Sequence, residues 1–411
     1  MVKTILTLIV GMLSGAFLVF ANQIILAKYT EPEEFGRLLT ILALLNSASP
    51  MVSLGIGSYM LEHNSKRGRG VGYLKPVAAC IFNFSVVSFY FTGLIIVWVV
   101  WGDVFMVLLF LVLFPVLIMQ GGVGFTLPLF QINSRFREIA YFQFLSQFGR
   151  LLSSVIGLVC LGSFLFTLVG YLLSAVLVFL LNFSFVKRID GFDYLKARKI
   201  FSARRVVSIC TGSLPFATNG LINMLQVQLP TVFVSVLFGF GAAAQFSICF
   251  SILLVVFIVP NAIYGQYLLP TLQRMQISKG SAYKKIYLSS IFLMLILGAL
   301  GAFMVFYYSK PIFEYFFGAK YTLASNLITT AAALIPARYA LTVLGAFLIA
   351  ERKVLYKVKA SVYLLSVQIL MIFFSSIFWG LSELIVLLVI SEYILLFVYL
   401  MKMHVLFKVK D

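Results

Sequence analysis

Arg150 and Arg338 each sit near the middle of a hydrophobic stretch otherwise long enough to cross a bilayer. A guanidinium at that depth is costly unless it lines a wet cavity or has a partner, so each is a candidate functional site. Arg150 lies about ten residues into its stretch, some ~15 Å deep at ~1.5 Å per residue, and Arg338 is comparably placed. The planar fork of an arginine matches phosphate or carboxylate in bidentate geometry, so two of them favour a substrate bearing a diphosphate or acidic sugars. One carboxylate, Glu392, also falls within an apolar stretch. A single acid cannot neutralise two arginines. Two readings therefore stay open for each arginine, contact with substrate or internal pairing with Glu392. For Glu392 they are a structural counter-charge or a part in proton or sodium coupling.

The neutral polar residues of these stretches recur at helical spacing. Gln143, Gln147, Arg150 and Ser154 follow i, i+4, i+7, i+11 and share one helix face, and Asn219, Asn223 and Gln226 repeat the pattern further along. Asn46, Ser49, Ser53 and Gly57 form another stripe, and Gly11, Gly15 and Asn22 lie in the first stretch. Each stripe must face protein or water, because unpaired polar groups in hydrocarbon are expensive. Helix-to-helix hydrogen bonding is the alternative to lining a cavity. The candidate substrate contacts are Arg150, Arg338, Gln147, Asn219, Asn223 and Gln226. Gly11-x-x-x-Gly15 reads as a close helix approach. Pro50, Pro115, Pro215, Pro230, Pro260 and Pro336 fall where they would bend helices, and Pro336 is two residues from Arg338.

Catalytic chemistry has little to work with. Both histidines, His63 and His404, fall at the ends of apolar stretches, and Cys80, Cys160, Cys210 and Cys249 show no CxxC spacing. That pattern supports neither a disulfide framework nor a metal site, and the cysteines read as packing residues. No nucleophile elbow, phosphate loop, zincin helix or spaced acidic cluster appears. The expectation is a protein with no catalytic residue, metal or cofactor, driven by a proton or sodium gradient or by the membrane potential.

The elements that must position these residues follow from composition. With 62% hydrophobic and 11% charged residues in 411, the chain is a polytopic, all-α membrane protein. Apolar runs of spanning length fall at 5–27, 38–60, 77–100, 104–130, 141–162, 164–186, 208–238, 242–268, 286–308, 323–350, 360–379 and 384–401. The first is too long for a signal peptide and lacks a cleavage site, so it is read as retained. With the N-terminus cytoplasmic, nearly all of the 31 basic residues fall in cytoplasmic segments, the exceptions being Lys28, Arg37, Lys310, Lys320 and the two intramembrane arginines. This is the positive-inside pattern with both termini cytoplasmic, and it makes topology, rather than nucleic acid, the meaning of the +18 net charge. Anionic headgroups are the natural partners of such loops. A basic loop at 187–207 separates an N-terminal lobe, 1–186, from a C-terminal lobe, 208–411, with six spans each. A six-plus-six transporter commonly forms its substrate path between the halves, here a central cavity receiving one arginine from each.

The segment AKYTEPEEFGRLLTILALLNSASPMVSLGIG, Ala27 to Gly57, resembles the opening signature of polysaccharide-repeat-unit flippases of the Wzx type. Its turn reads Glu31, Pro32, Glu33, Glu34, Phe35, Gly36. SLPFATNGLINMLQVQLPTVFVSVLFG resembles that family's seventh helix, and PIFEYFFGAKYTLASN its loop before the tenth. The resemblance implies the fold of the multidrug/oligosaccharidyl-lipid/polysaccharide (MOP) exporter superfamily, related to MATE transporters. It implies movement of an undecaprenyl-diphosphate-linked oligosaccharide from the cytoplasmic to the outer leaflet of a bacterial plasma (inner) membrane. The product would be O-antigen or capsule, and a glycan polymerase and a chain-length regulator would be the partners. Many relatives carry an Asp in the seventh helix where this chain has Gln226 and Gln228, so coupling through that acid does not carry over. The competing transporter is a MATE-like drug/cation antiporter, disfavoured by two arginines. A membrane glycan polymerase or acyltransferase would require a large external loop or an intramembrane histidine, and neither is present.

Overall fold

The computed structural model describes residues 2–60, 75–132, 135–190, 203–269, 272, 275 and 281–408. His63, the basic residues Lys66, Arg67 and Arg69, and most of the expected inter-lobe loop 187–207 lie outside them, as do Arg274, Lys279 and Lys410. Among the described residues every regular element is helical. A helix satisfies its backbone within itself, which hydrocarbon demands.

Ten helices among the described residues are long and apolar enough to cross a membrane, or eleven when the bent pair Thr322–Ala331 and Leu334–Ala350 counts as one span. Helix α1, Val2–Tyr29, occupies the position of the first expected span. The others are α2 (Pro32–Val52), α3 (Lys75–Trp101), α4 (Val104–Ile132), α5 (Phe136–Ser154), α6 (Phe164–Asp190), α7 (Ala203–Leu237) and α8 (Phe240–Pro260), followed by α9 (Ser281–Phe317), α10 (Thr322–Ala331), α11 (Leu334–Ala350), α12 (Val354–Phe378) and α13 (Leu381–Lys408). With α10 and α11 joined, they follow the twelve expected spans in order. Short π-helical turns extend α5 over Val155–Cys160 and α8 over Asn261–Tyr267.

The chain forms two compact units. Residues Met1–Glu31 and Arg37–Val232 make the first, and Pro32–Gly36 with Phe233–Asp411 make the second. In the first, α1 lies on α5, α4 on α6, and α5 on α6. The α5–α6 seam is built of small residues. A Cβ added to Gly149 would lie 2.8 Å from the Ser174 Cβ, and one added to Gly170 would lie 2.6 Å from the Ser153 Cβ. Gly157 is pressed in the same way against Thr167. Close backbone approach through small side chains is how helices gain packing energy where no hydrophobic effect acts. Gly15, expected to serve that purpose in α1, has nothing within 4 Å of its Cβ position. Close approach of this kind is found between α5 and α6, and the surroundings of Gly11 lie outside the described residues. Asn46 on α2 accepts a hydrogen bond from Gln120 Nε2 of α4 at 2.6 Å, and Gly57 beyond it packs on Phe125 and Pro128. The α2 stripe is thus helix-to-helix packing. The chain breaks after Val52 at Leu54 (φ 46°) and Gly55 (φ 60°), where Gly55 takes a left-handed conformation against Phe216 of α7.

In the second unit, α9 packs on α10 and α11, α11 on α13, and α12 on α13. Two of the segments that carry the sequence resemblance meet here. Phe35 is fully buried and meets the ring of Tyr321 edge-on, 6.4 Å between centroids, and Tyr321 also packs on Phe317 at 6.1 Å. Gly36 lies directly under the carbonyl of Phe240 at the start of α8, where no side chain has room.

The prolines act unequally. Helix runs through Pro50, Pro115, Pro215 and Pro230, whereas Pro260 ends α8 ahead of its π-helical turn. Pro336 stands in the first turn of α11, after a 49° break from α10. Proline suits that position because the first turn leaves its N–H groups unused in any case.

Candidate functional site

The break before α11 decides where Arg338 points. Ile335 N donates to Ala332 O at 3.0 Å, and the Ala333 carbonyl freed by the break accepts the Tyr393 hydroxyl of α13 at 3.1 Å. Gly298 of α9 lets that helix close on the turn, since a Cβ there would lie 2.7 Å from the Pro336 Cα. Two residues on, Arg338 Nη2 donates to Glu392 Oε1, the residue next to Tyr393, in an ion pair. Gln368 Nε2 of α12 reaches the same oxygen at 3.5 Å and Ser391 Oγ at 3.3 Å. The side chain of Glu392 is 2% exposed and that of Arg338 is 32% exposed. Glu392 is therefore sealed behind an arginine that remains reachable, and its Oε2 accepts no hydrogen bond. Three helices, α11, α12 and α13, build this cluster.

Arg150 is in the opposite situation. It lies half-buried on α5, and its Nε and Nη2 are buried with no acceptor. Its electrostatic neighbour is Tyr171 of α6. The Tyr171 hydroxyl, itself fully buried, accepts from Asn22 Nδ2 of α1 at 2.6 Å and lies 3.2 Å from Ser154 Oγ. Asn22 Oδ1 is also buried without a partner. The cluster thus holds unmet donors of a cation and one unmet acceptor, with no carboxylate among its residues. Water satisfies either kind of group, and an anionic ligand satisfies the donors.

Gln147, one turn before Arg150, is half-buried, as is Gln226 of α7; Asn219 and Asn223 of α7 are exposed. No hydrogen bond joins Arg150 to Gln147, Asn219 or Asn223. The spacing of polar residues named Asn22 but not its partner Tyr171 beside Arg150, nor Gln368 and Ser391 beside Glu392; the tertiary structure supplies these. Gln368 carried a signal, being the one amide in its apolar helix. Tyr171 carried none, because a tyrosine in an apolar span is unremarkable until its neighbours are known. Among the described residues no group of three or more His, Cys, Asp and Glu side chains gathers to hold a metal ion.

The profile of the family described as "Polysaccharide biosynthesis protein" matches residues 25–327, most of the chain. The chain belongs to this family. The match starts before the Glu31–Gly36 turn and runs through the Phe317–Tyr321 loop, so the matched range contains the residues that pack on Phe35 and Gly36. A search of curated protein sequences finds no match. Solved structures match over nearly the whole length. The lipid II flippase MurJ, in an inward closed conformation, aligns with TM-score 0.73 and 14% identity over 96% of this chain and 87% of its own. An inward-facing multidrug resistance MATE family transporter of the MOP superfamily gives 0.75 and 14% over 96% and 95%. A MOP superfamily transporter from Pyrococcus furiosus, described by a binding pocket of reverse polarity, gives 0.64 and 14% over 99% and 96%. At such identities the likeness establishes the fold. The family member described here has the MOP fold, as the resemblance to Wzx-type flippases implied, and its structural neighbours are membrane transporters and flippases.

Proposed function

We propose that this protein is a flippase that moves an undecaprenyl-diphosphate-linked oligosaccharide repeat unit from the cytoplasmic to the outer leaflet of a bacterial plasma membrane by alternating access. The glycan served is an O-antigen or a capsular polysaccharide, with a polymerase and chain-length regulator acting afterwards. The observation that carries this reading is Arg150, a guanidinium within a membrane-spanning helix whose Nε and Nη2 have no acceptor. In a family of polysaccharide biosynthesis proteins, the anion best suited to those donors is the substrate's diphosphate, which an arginine fork binds in bidentate fashion. Gln147, beside it on α5, and Asn219, Asn223 and Gln226 on α7 supply donors and acceptors for sugar hydroxyls.

Arg338 enters the cycle differently. Glu392 holds it in the described conformation, so an incoming phosphate must compete with a carboxylate for it. Release of Arg338 leaves Glu392 buried without its counter-charge, a state that uptake of a proton or sodium ion relieves. A drug/cation antiporter is disfavoured by Arg150, because a cationic substrate would meet a guanidinium with no paired carboxylate.

The test is transport by purified protein in liposomes, using a fluorescent polyprenyl-diphosphate oligosaccharide whose outer-leaflet fraction is read by quenching. Wild-type protein should equilibrate the probe, and Arg150→Ala should not. A cationic dye moved at wild-type rate by protein that leaves the lipid-linked sugar in place would overturn the assignment.

A further inference from the structure

The second unit contains a cavity of about 350 Å³ that the residues discussed above do not use, lined by Tyr264, Lys285, Ile286, Ser289, Ser290 and Leu293. Five of the six come from one stretch of α9. Lys285 and Ser289 are one turn apart, while Ile286, Ser290 and Leu293 follow i, i+4, i+7 on the adjoining face. Tyr264 comes from the π-helical turn that extends α8, and such turns often accompany functional sites. The depth of the cavity is graded in polarity. Lys285 and Ser289 are exposed at the end of α9 where Lys284 and Lys285 cluster. Ser290 is buried, and Leu293, 50% exposed, lies eight residues further along. At ~1.5 Å per residue the distance from Lys285 to Leu293 is ~12 Å along the helix, from the boundary of the expected span 286–308 inward. Lys285 takes part in none of the ion pairs among the described residues.

We propose that this cavity is a binding site for an anionic glycerophospholipid of the surrounding bilayer. The phosphodiester is held by Lys285 and the hydroxyls of Ser289 and Ser290, and an acyl chain lies along Ile286 and Leu293. The charge of the lining selects this occupant. One ammonium balances the single negative charge of a phosphodiester, whereas a diphosphate would leave charge unmatched. The apolar wall at Leu293 gives no contact to free phosphate, and a zwitterionic headgroup brings a cation of its own to face Lys285. None of its lining residues belongs to the Arg150 cluster or to the Arg338–Glu392 cluster, and the proposal does not depend on the substrate assigned above.

Native mass spectrometry of the full-length protein, released from nanodiscs of equal parts dioleoyl-phosphatidylglycerol and dioleoyl-phosphatidylcholine, tests the proposal. Wild-type protein should retain the anionic lipid with a preference of about five-fold, the value expected for one lysine at the membrane surface. Lys285→Ala should remove most of that preference, and Lys285→Arg should keep it. Leu293→Trp, which fills the groove at an exposed position, should lower retention of both lipids. Lys310→Ala, at the opposite end of α9, controls for charge in general. An equal loss in Lys310→Ala and Lys285→Ala would overturn the proposal, as would displacement of the lipid by millimolar inorganic phosphate. Preferential retention of added undecaprenyl diphosphate over phosphatidylglycerol would reassign the site to the substrate.

Discussion

At the scale of residues, two arginines that look equivalent in sequence have different surroundings and should fail differently when changed. Arg150 has no acidic partner, so Arg150→Ala strands no opposite charge. Membrane abundance should stay near wild type while transport falls by at least about ten-fold, the loss of one charge-assisted hydrogen bond of roughly 1.5–3 kcal/mol. Lys at this position should restore part of the activity, since it keeps the charge and loses the fork. Arg338 is paired, and Arg338→Ala leaves the carboxylate of Glu392 buried alone at a cost of roughly 3–5 kcal/mol. Its first effect should be a fall in protein level, measured by fluorescence-detected size exclusion. Pairing it with Glu392→Ala should restore the level. If transport returns as well, Arg338 matters only as a counter-charge and its place in substrate binding must be withdrawn. A single Arg338→Ala variant of normal abundance would instead contradict the importance of the pair. The sequence marks all three charges as exceptional by their place within apolar stretches. Which arginine Glu392 would choose was not legible, because pairing depends on the break at Ala332–Ala333 that turns α11 toward α13.

Elements explain why short family motifs have the residues they do. The Glu31–Gly36 turn reads as a signature in sequence, and its physical content is packing: Phe35 is buried on Tyr321, and Gly36 leaves room for the Phe240 carbonyl. A backbone carbonyl cannot rotate away as a side chain can. Gly36→Ala should therefore lower abundance and thermal stability in detergent, while a purified remainder binds substrate normally. The α5–α6 seam allows a finer test. Gly170→Ala brings a methyl group against Ser153, with an overpacking cost of about 1–3 kcal/mol partly offset by better helix propensity. Ser153→Gly in the same chain removes the opposing Cβ and should recover melting temperature. Failure to recover would show that the seam is not what Gly170 serves. The spacing Gly149, Ser153, Gly157 was as visible in the sequence as Gly11 and Gly15. Small residues at i, i+4 say only that a close approach is possible; which helix comes close is a property of the bundle.

For the whole molecule, the sequence makes a topological forecast that reporter fusions can check. Fusions after Lys3 and Lys410 should behave as cytoplasmic and one near Lys320 as external; a cytoplasmic signal at Lys320 would break the alternation of twelve spans. Deleting the gene from a strain without a second flippase should abolish the surface glycan while lipid-linked repeat units accumulate on the cytoplasmic leaflet. Composition and periodicity were sufficient for the all-helical, many-span class, since hydrocarbon admits no lipid-exposed backbone that is not internally hydrogen-bonded and imposes a minimum length on each element. Charge distribution likewise belongs to the sequence alone, as a rule of loops rather than contacts. Only the tertiary structure decided that Glu392 neutralises Arg338, that Arg150 is left beside Tyr171 and Asn22 with unmet donors, and that Lys285 opens onto a cavity. These are outcomes of which helix faces meet across tens or hundreds of residues. Sequence spacing defines a face, but it carries no information about the face opposite.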